Sequence, residues 1–489
     1  MQQTHPKIIQ GGMGAGVSSW TLANAVSKVG QLGVVSGTAL DLILPRRLQV
    51  GDPGGHMRRA LASFPIPEMA QRILDRYFVE GGKRADEPFK AKPMLVMQPS
   101  ERLEELLVVS NFVEVYLAKE GHDGVAGINY LEKIQLPNLP SMFGAMLAGV
   151  DYVLMGAGIP VAIPGILDRL AEGRAVELAV DVKGPSGAER VMNHFDPQRY
   201  LAAADVKIER PLFLAIISTP TLATMLVRKA DGEVNGFIIE GPTAGGHNAP
   251  PRGRPSLSET GEPIYGSRDV PDLEAMRKIG KPFWLAGSYA APERVVEALA
   301  DGAAGVQVGT AFAYCAESGL SPELRRQILE MSRRGTAHIF TDPVASPTGF
   351  PFKVVDMEGT ISSKDVYEAR ARVCDLGYLR HAYRTEEGEI GLRCPSEPVE
   401  DYLRKGGAIE DTEGRKCVCN GLMANIDLAQ ARKNGYVELP MVTSGDDVAE
   451  VARFLAEGQT DYSAADVVAH LLSAVEDAAT QEMSRESAI

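Results

Sequence analysis

Short apolar runs alternate with amphipathic segments over roughly the first two thirds of the chain. The runs are candidate buried strands near Ile8, Val34, Gly127, Val153, Ala215, Ile238, Leu285 and Gln307. The connections between them carry apolar residues at helical spacing. Strand and helix alternating eight times predict a (β/α)8 TIM barrel. An open, doubly wound sheet has the same periodicity and remains the rival architecture.

Two long segments interrupt this alternation, and a third follows it. We predict a barrel over residues 1–320, with insertions at about 40–121, after strand 2, and at about 176–205. Residues 321–489 are predicted to form a mostly helical C-terminal extension, with helices over 322–334, 364–373, 426–433 and 464–478.

The stretch 236–248, GFIIEGPTAGGHN, begins as a candidate buried strand, continues into a glycine-rich segment and places His247 directly after two glycines. Glycine lets the backbone pass close to a flat ligand, since no Cβ intervenes. Histidine can move a proton near neutral pH. The pattern therefore indicates an active-site loop, while a glycine-rich turn carrying a solvated histidine is the alternative.

Two further glycine turns end the last two predicted strands, at Gly287-Ser288 and at Gly309-Thr310. Backbone N–H groups in such turns bind phosphate without a lysine. In a TIM barrel, the loops after strands seven and eight are the usual phosphate site. Together the two turns predict a phosphorylated cofactor.

Net charge and the lengths of the apolar stretches limit the kinds of partner and the location that we expect for the protein. The formal net charge of −14 over 489 residues argues against binding to nucleic acid or to an anionic membrane. We see no signal peptide and no apolar stretch long enough to span a membrane, so we expect a cytoplasmic protein. The sequence leaves open whether the chain forms a homo-oligomer.

Four of the five cysteines, Cys374, Cys394, Cys417 and Cys419, lie in the extension. Four thiolates can hold zinc or an iron–sulfur cluster. Only Cys417 and Cys419 are close in sequence, and the spacing matches no zinc motif. We therefore expect buried, reduced thiols without disulfides and predict no metal site.

Three motifs carry a resemblance to a known family: IIQGGMGAGVS near the start, EGPTAGGHN in the middle, and WLAGSYAAPERVVEALADGAAGVQVGTAF after it. With them, residues 6–315 outside the insertions resemble the nitronate monooxygenase family, formerly called 2-nitropropane dioxygenases. That family also includes FMN-dependent enoyl reductases of fatty-acid and polyketide synthesis. The resemblance implies a TIM barrel that holds FMN without a covalent link.

Carried over by position, the resemblance assigns His247 as the catalytic residue and a set of residues that bind the cofactor. These are Gly12, Met13, Asn129, Glu240, Gly245, Gly246, Gly287, Ser288, Gln307, Val308, Gly309 and Thr310. Glu240 stands where many members have Gln, and Ser288 replaces a common Gly. These departures bear on the substrate more than on the cofactor.

The resemblance implies oxidation of a small alkyl nitronate with O2 to a carbonyl compound and nitrite. If the substrate is a neutral nitroalkane, His247 would first remove the α-proton. A second reading is reduction of an enoyl thioester with NAD(P)H, in which His247 would polarise the thioester carbonyl or position the substrate. A third is a flavin-binding component of a larger assembly, with the extension as its docking part.

Overall fold

The structure of the chain, a computed structural model, describes residues 5–184, 191–202, 206–254 and 256–486. Residues 185–190 and 203–205 of the predicted second insertion lie outside this described part. The strands in chain order are β1 (Ile8–Gln10), β2 (Gly33–Ser36), β3 (Ala126–Leu131), β4 (Tyr152–Gly156), β5 (Val176–Val180), β6 (Val182–Lys183), β7 (Val191–Phe195), β8 (Leu212–Ile217), β9 (Gly236–Glu240), β10 (Phe283–Ala286), β11 (Gly305–Val308), β12 (Ile339–Asp342), β13 (Phe352–Val355), β14 (His381–Arg384) and β15 (Ile390–Arg393).

Helices separate most of these strands. They are α1 (Trp20–Lys28), α2 (Leu40–Gln49), α3 (His56–Ala62), α4 (Pro67–Tyr77), α5 (Glu101–Lys119), α6 (Asn138–Leu147), α7 (Ile163–Ala171), α8 (Gln198–Leu201), α9 (Pro220–Lys229), α10 (Leu273–Ile279), α11 (Pro292–Ala300), α12 (Thr310–Ala313), α13 (Pro322–Arg333), α14 (Lys364–Glu368), α15 (Val399–Arg404), α16 (Val418–Ala424) and α17 (Ala464–Glu486). None of the helices among the described residues is both long and apolar enough to cross a membrane.

Eight parallel strands form one sheet, in the order β1-β11-β10-β9-β8-β4-β3-β2. Its two edges meet, because Ile9 bridges Leu32 in parallel and the Gln10 N–H donates to the Leu32 carbonyl at 2.9 Å. The sequence-adjacent order and the meeting edges are those of a (β/α)8 barrel, which confirms the predicted fold and excludes the open doubly wound sheet.

Residues alternate along the barrel strands between two apolar layers, as strand geometry requires. One set fills the inside of the barrel and includes Ile9, Leu154, Ile238 and Trp284. The alternate set, such as Ile8, Val153 and Ile239, packs under the surrounding helices. The packed interior leaves the carboxyl ends of the strands as the place for a ligand.

The first insertion contributes α2, α3 and α4, and α5 then packs between α1 and α6 as the barrel helix before β3. In the second insertion, β5 pairs antiparallel with β7. The extension packs against the barrel and its helices. Its helix α17 packs on α11 and α1, while the 3-10 helix Asp446–Phe454 packs on α13.

Two helix predictions in the extension need correction. Residues 426–433 are not helical, because Asp427 takes a left-handed φ of 58° and Ala431 bridges Val437 instead. The helix predicted over 364–373 ends at Glu368, and Arg370 beyond it forms a buried ion pair with Glu438 at 2.6 Å. The extension also contains the antiparallel pairs β12–β13 and β14–β15, which the helical pattern did not predict.

Candidate active site at the carboxyl end of the barrel

One cavity of about 1270 Å³, measured out to its opening to solvent, lies at the carboxyl ends of the barrel strands. We call it the barrel cavity. Every residue that the resemblance assigned to the site lines it: Gly12, Met13, Asn129, Glu240, Gly245, Gly246, His247, Gly287, Ser288, Gln307, Val308, Gly309 and Thr310. Residues from five different strand ends therefore converge on one volume.

The turn after β10 holds a conformation that ordinary residues avoid. Gly287 has a φ of 100°, and Ser288 has a left-handed φ of 55° although it carries a side chain. A Cβ added to Gly287 would lie 2.8 Å from the Thr243 hydroxyl oxygen. The turn therefore requires glycine at 287, and the strain held at Ser288 is of a kind that gathers at binding sites.

His247 is held on both sides by the extension. Its Nε2 lies 2.6 Å from the Ser346 hydroxyl, and its ring packs on Phe352 with centroids 4.6 Å apart. The His247 backbone also bridges Phe352 in antiparallel fashion. Burial lowers the pKa of His247 to about 4, so the imidazole is neutral at pH 7.

Glu240 ends β9 and lines the barrel cavity. It is half-buried. Burial raises its pKa to about 7. A carboxyl group that keeps its proton near neutral pH can donate as well as accept, which an ordinary glutamate cannot.

We expect Glu240 to make stability depend on pH. Its folded pKa of about 7 lies above the unfolded value of about 4.3, so the folded chain holds the proton more tightly and stability falls as pH rises between these values. The slope approaches about 1.4 kcal/mol per pH unit. Urea unfolding of Glu240→Gln against the wild type from pH 4.5 to 8 isolates this contribution.

The free energy of unfolding must be compared between Glu240→Gln and the wild type, because His247 makes stability change with pH in the opposite direction. Its folded pKa of about 4 lies below its ordinary value, so its contribution increases stability as pH rises over the overlapping range. Glu259→Gln, at an exposed position, is the matched control. An unchanged slope in Glu240→Gln would show that Glu240 titrates normally.

The extension completes the wall of the cavity, which the sequence did not indicate. It contributes Phe352, Leu422, Thr443, Ser444, Gly445 and Asp447. The Gly445 N–H donates to the Thr310 hydroxyl at 3.0 Å. A Cβ at Gly245 would lie 2.6 Å from the Gly445 nitrogen. Glycine at 245 therefore allows the extension to approach the barrel closely.

Asp447 places an acidic group beside the turn that was predicted to bind phosphate. Its carboxyl is hydrogen-bonded to Ser288, and burial raises its pKa above the ordinary value. Nothing in the motifs around the barrel strands could have located it, because it follows the last of them by more than a hundred positions.

A model of the nitronate monooxygenase family matches residues 170–345. This segment includes β8 to β11 and His247, while Gly12, Met13 and Asn129 lie outside it. No curated protein matches the chain.

Solved structures similar to the chain are distant from it. FabK from Thermotoga maritima is 15% identical with a TM-score of 0.47, covering 99% of this chain and 96% of its own. A nitroalkane oxidase from Streptomyces ansochromogenes is 16% identical with a TM-score of 0.46, covering 97% of each chain. The enoyl reductase domain of MlnA from Bacillus amyloliquefaciens is 11% identical with a TM-score of 0.48, covering 98% and 96%.

The match over residues 170–345 confirms the resemblance to the nitronate monooxygenase family and identifies the chain as an oxidoreductase.

Proposed function

We propose that the chain is an FMN-dependent oxidoreductase that oxidises alkyl nitronates with O2 to a carbonyl compound and nitrite. The observation that carries this proposal is the convergence of the assigned residues, His247 among them, on the barrel cavity. The family match over the second half of the barrel supports it.

The residues of the cavity fit FMN. The Gln307 Oε1 is buried and has no hydrogen-bond partner among the described residues, so it remains free to accept from a ligand. A Cβ at Gly246 would meet no atom within 4 Å, so this backbone faces open space that a ring can occupy.

We assign the phosphate of FMN to the turns at Gly287-Ser288 and Gly309-Thr310, and the hydroxyl groups that adjoin the phosphate to Gln307 and Val308. We assign the ring to the surface made by Gly12, Met13, Gly245 and Gly246, with Asn129 and Glu240 as hydrogen-bonding groups. When bound, FMN supplies the redox chemistry, and the protein supplies position and electrostatics.

Asp447 should weaken the binding of FMN, because its carboxylate repels a phosphate held by the neighbouring turn at Ser288. We expect Asp447→Asn to bind FMN about fivefold more tightly, which corresponds to about 1 kcal/mol for one charge pair at 4 Å in a water-like dielectric. Fluorescence titration of apoprotein with FMN measures the change.

Glu450→Gln is the control for this prediction, since it removes one negative charge from the same 3-10 helix at an exposed position. Weaker binding by Asp447→Asn would place Asp447 on a hydroxyl of the ligand and move the phosphate elsewhere.

The state of His247 favours a nitronate over a neutral nitroalkane. A base with a pKa of about 4 has little driving force to remove a proton from carbon at neutral pH. A nitronate is already an anion and needs no proton removed, so a neutral imidazole that donates a hydrogen bond is sufficient.

Glu240 favours a second candidate, reduction of an enoyl thioester with NAD(P)H. Reduction of a carbon–carbon double bond takes up a proton as well as a hydride. A carboxyl group with a pKa of about 7 holds that proton in about half of the molecules at neutral pH.

One pair of assays tests the two candidates. FMN-loaded protein is supplied with an alkyl nitronate and O2, and nitrite release is measured. Separately, it is supplied with an enoyl thioester and NAD(P)H, and the loss of reduced nicotinamide is followed. We expect nitrite. Thioester-dependent oxidation of NAD(P)H without nitrite release would replace the first proposal with the second.

A further inference from the structure

Four cysteines from three separate stretches of the extension line a second, smaller cavity. Cys374, Cys394, Cys417 and Cys419 all line it. We call it the cysteine cavity. All four are free thiols. The fifth, Cys315, is absent from this lining and donates to the Phe312 carbonyl at 3.2 Å elsewhere.

The four thiols lie within electrostatic range of one another around the cysteine cavity. Each pair is close enough for the charge of one thiolate to act on the other, so that Cys419 is influenced by the remaining three and Cys394 by Cys374 and Cys417. Burial is the main cause of their raised pKa values, and that of Cys374 rises to about 11. Without a ligand, these thiols are neutral at pH 7.

The surroundings nevertheless favour thiolates. A nearby backbone N–H lowers the pKa of each of the four thiols: that of Gly377 for Cys374, Ser396 for Cys394, Asn420 for Cys417 and Leu379 for Cys419. The Asn420 side chain adds a bond to the Cys417 sulfur at 3.5 Å. N–H bonds of this kind hold the thiolates of metal clusters in place.

Positive charge also lies at the cavity. The guanidinium of Arg380 lines it and stabilises a thiolate at Cys374, and Arg370 does the same for Cys417. Glu397 acts in the opposite direction, although its carboxylate is paired with Lys405 at 2.7 Å. Four thiolates leave a cluster with a net negative charge, and the two arginines offset that charge.

A network of charged and amide groups fixes the loops that carry the cysteines. Asp375, next to Cys374, accepts from Arg432 at 2.7 Å and from Asn420 at 2.9 Å. Arg432 also pairs with the buried Glu438. The Cys374 loop is thereby joined to the turn that bears Cys417 and Cys419, which is the rigid support that a ligand set requires.

From this arrangement we propose that Cys374, Cys394, Cys417 and Cys419 ligate an iron–sulfur cluster. This reverses the expectation from sequence spacing, which gave no metal site. Four cysteines are the usual ligand set for such clusters. Binding of iron would deprotonate the four thiols, so the proton affinity conferred by burial does not prevent ligation.

A single metal ion fits less well. Among the residues that the structure describes, no three His, Cys, Asp or Glu side chains are placed to hold one metal ion. In a cluster the thiolates bind different irons and stand farther apart than around one zinc ion. Cluster ligation therefore explains why four thiols converge without meeting the spacing of a mononuclear site.

The cysteine cavity lies next to the barrel cavity. Helix α16 forms part of both walls, with Cys419 at one and Leu422, three residues later, at the other. Three residues of helix rise about 4.5 Å. Similarly, Ser346 contacts His247 while the next residue, Pro347, lines the cysteine cavity. A cluster would therefore be a close neighbour of the proposed flavin.

The test is metal and sulfide analysis of the full chain. Protein is purified without oxygen, treated with ferric iron, sulfide and a thiol reductant, and desalted. We expect about two or about four irons per chain with equal acid-labile sulfide, and the number of irons per chain distinguishes the two cluster types. Reduction with dithionite should produce a paramagnetic signal and bleach the visible absorption that flavin does not explain.

Variants then locate the cluster. Cys419→Ser and Cys374→Ser should lose the iron and sulfide, whereas Cys315→Ser, a buried cysteine outside the cavity, should keep them. Circular dichroism checks that each variant is folded. If a variant does not fold, the iron, sulfide and paramagnetic signal of the wild-type protein test the proposal. Absence of iron after treatment, iron unchanged in Cys419→Ser, or stoichiometric zinc without sulfide would each overturn the proposal.

These measurements require neither FMN nor turnover. A cluster in protein that binds no FMN would support this proposal and refute the proposed function. FMN binding by protein that forms no cluster would refute this proposal and leave the proposed function intact.

Discussion

Replacement of His247 by Ala should lower turnover of a neutral nitroalkane by about 100-fold. This is the lower end of the usual contribution of a positioned base, about 10²–10⁴-fold, because a pKa of about 4 makes the imidazole a weak proton acceptor. Turnover of the pre-formed nitronate should fall much less, since that substrate needs no proton removed. Nitrite release from both substrates gives the comparison.

The pH profile provides a second readout for His247. The neutral imidazole is the active form, so the wild-type rate on nitroalkane should rise through pH 4 and the variant should lack that rise. His194→Ala, at an exposed position in β7, is the control and should retain full activity. Equal losses on both substrates would leave His247 an orienting role only.

The largest effect on the cofactor is expected from Gly309→Leu. Gly309 has a φ of −107°, which any residue can adopt, so the backbone itself tolerates the change. A Cβ there would lie 3.4 Å from the Met13 sulfur, and the rest of the leucine would enter the space assigned to phosphate. We expect FMN affinity to fall at least about tenfold, or about 1.4 kcal/mol.

FMN occupancy, measured as flavin released on denaturation, tests this expectation. Gly266→Leu is a matched control, because Gly266 also has an ordinary φ of −135° and a Cβ there would meet no atom within 4 Å. A folded Gly309→Leu protein with full FMN content would show that the turn after β11 does not bind the phosphate.

The barrel could be predicted because its information is local. Each core strand is a short apolar run, and most of these strands end at or just before a glycine, as β9 does. The parallel strands need only be placed in chain order to bring the glycine turns together. His247 and the turn at Gly309 were found this way. Ser288 shows the limit of the method, since only the structure reveals its left-handed φ of 55°.

The remainder depended on contacts between distant segments. Phe352, the first residue of β13, and Asp447, in the 3-10 helix Asp446–Phe454, reach the barrel cavity from segments that the sequence pattern did not predict. Residues 426–433 have helical spacing, yet the Gln430 side chain accepts from the Phe89 N–H at 2.7 Å, a pairing over 341 positions. The cysteines likewise converge by tertiary folding, which their spacing along the chain does not reveal.

The loop that carries Ser444 and Gly445 has a consequence for the order of biosynthesis. All eight barrel strands are complete once the ribosome has passed Val308, but Gly445 must still be made before it can donate to Thr310. A barrel emerging from the ribosome therefore has an incomplete wall at its mouth. Stable capture of a ligand in the barrel cavity must wait for the extension to dock, so a loaded chain reports that folding has finished.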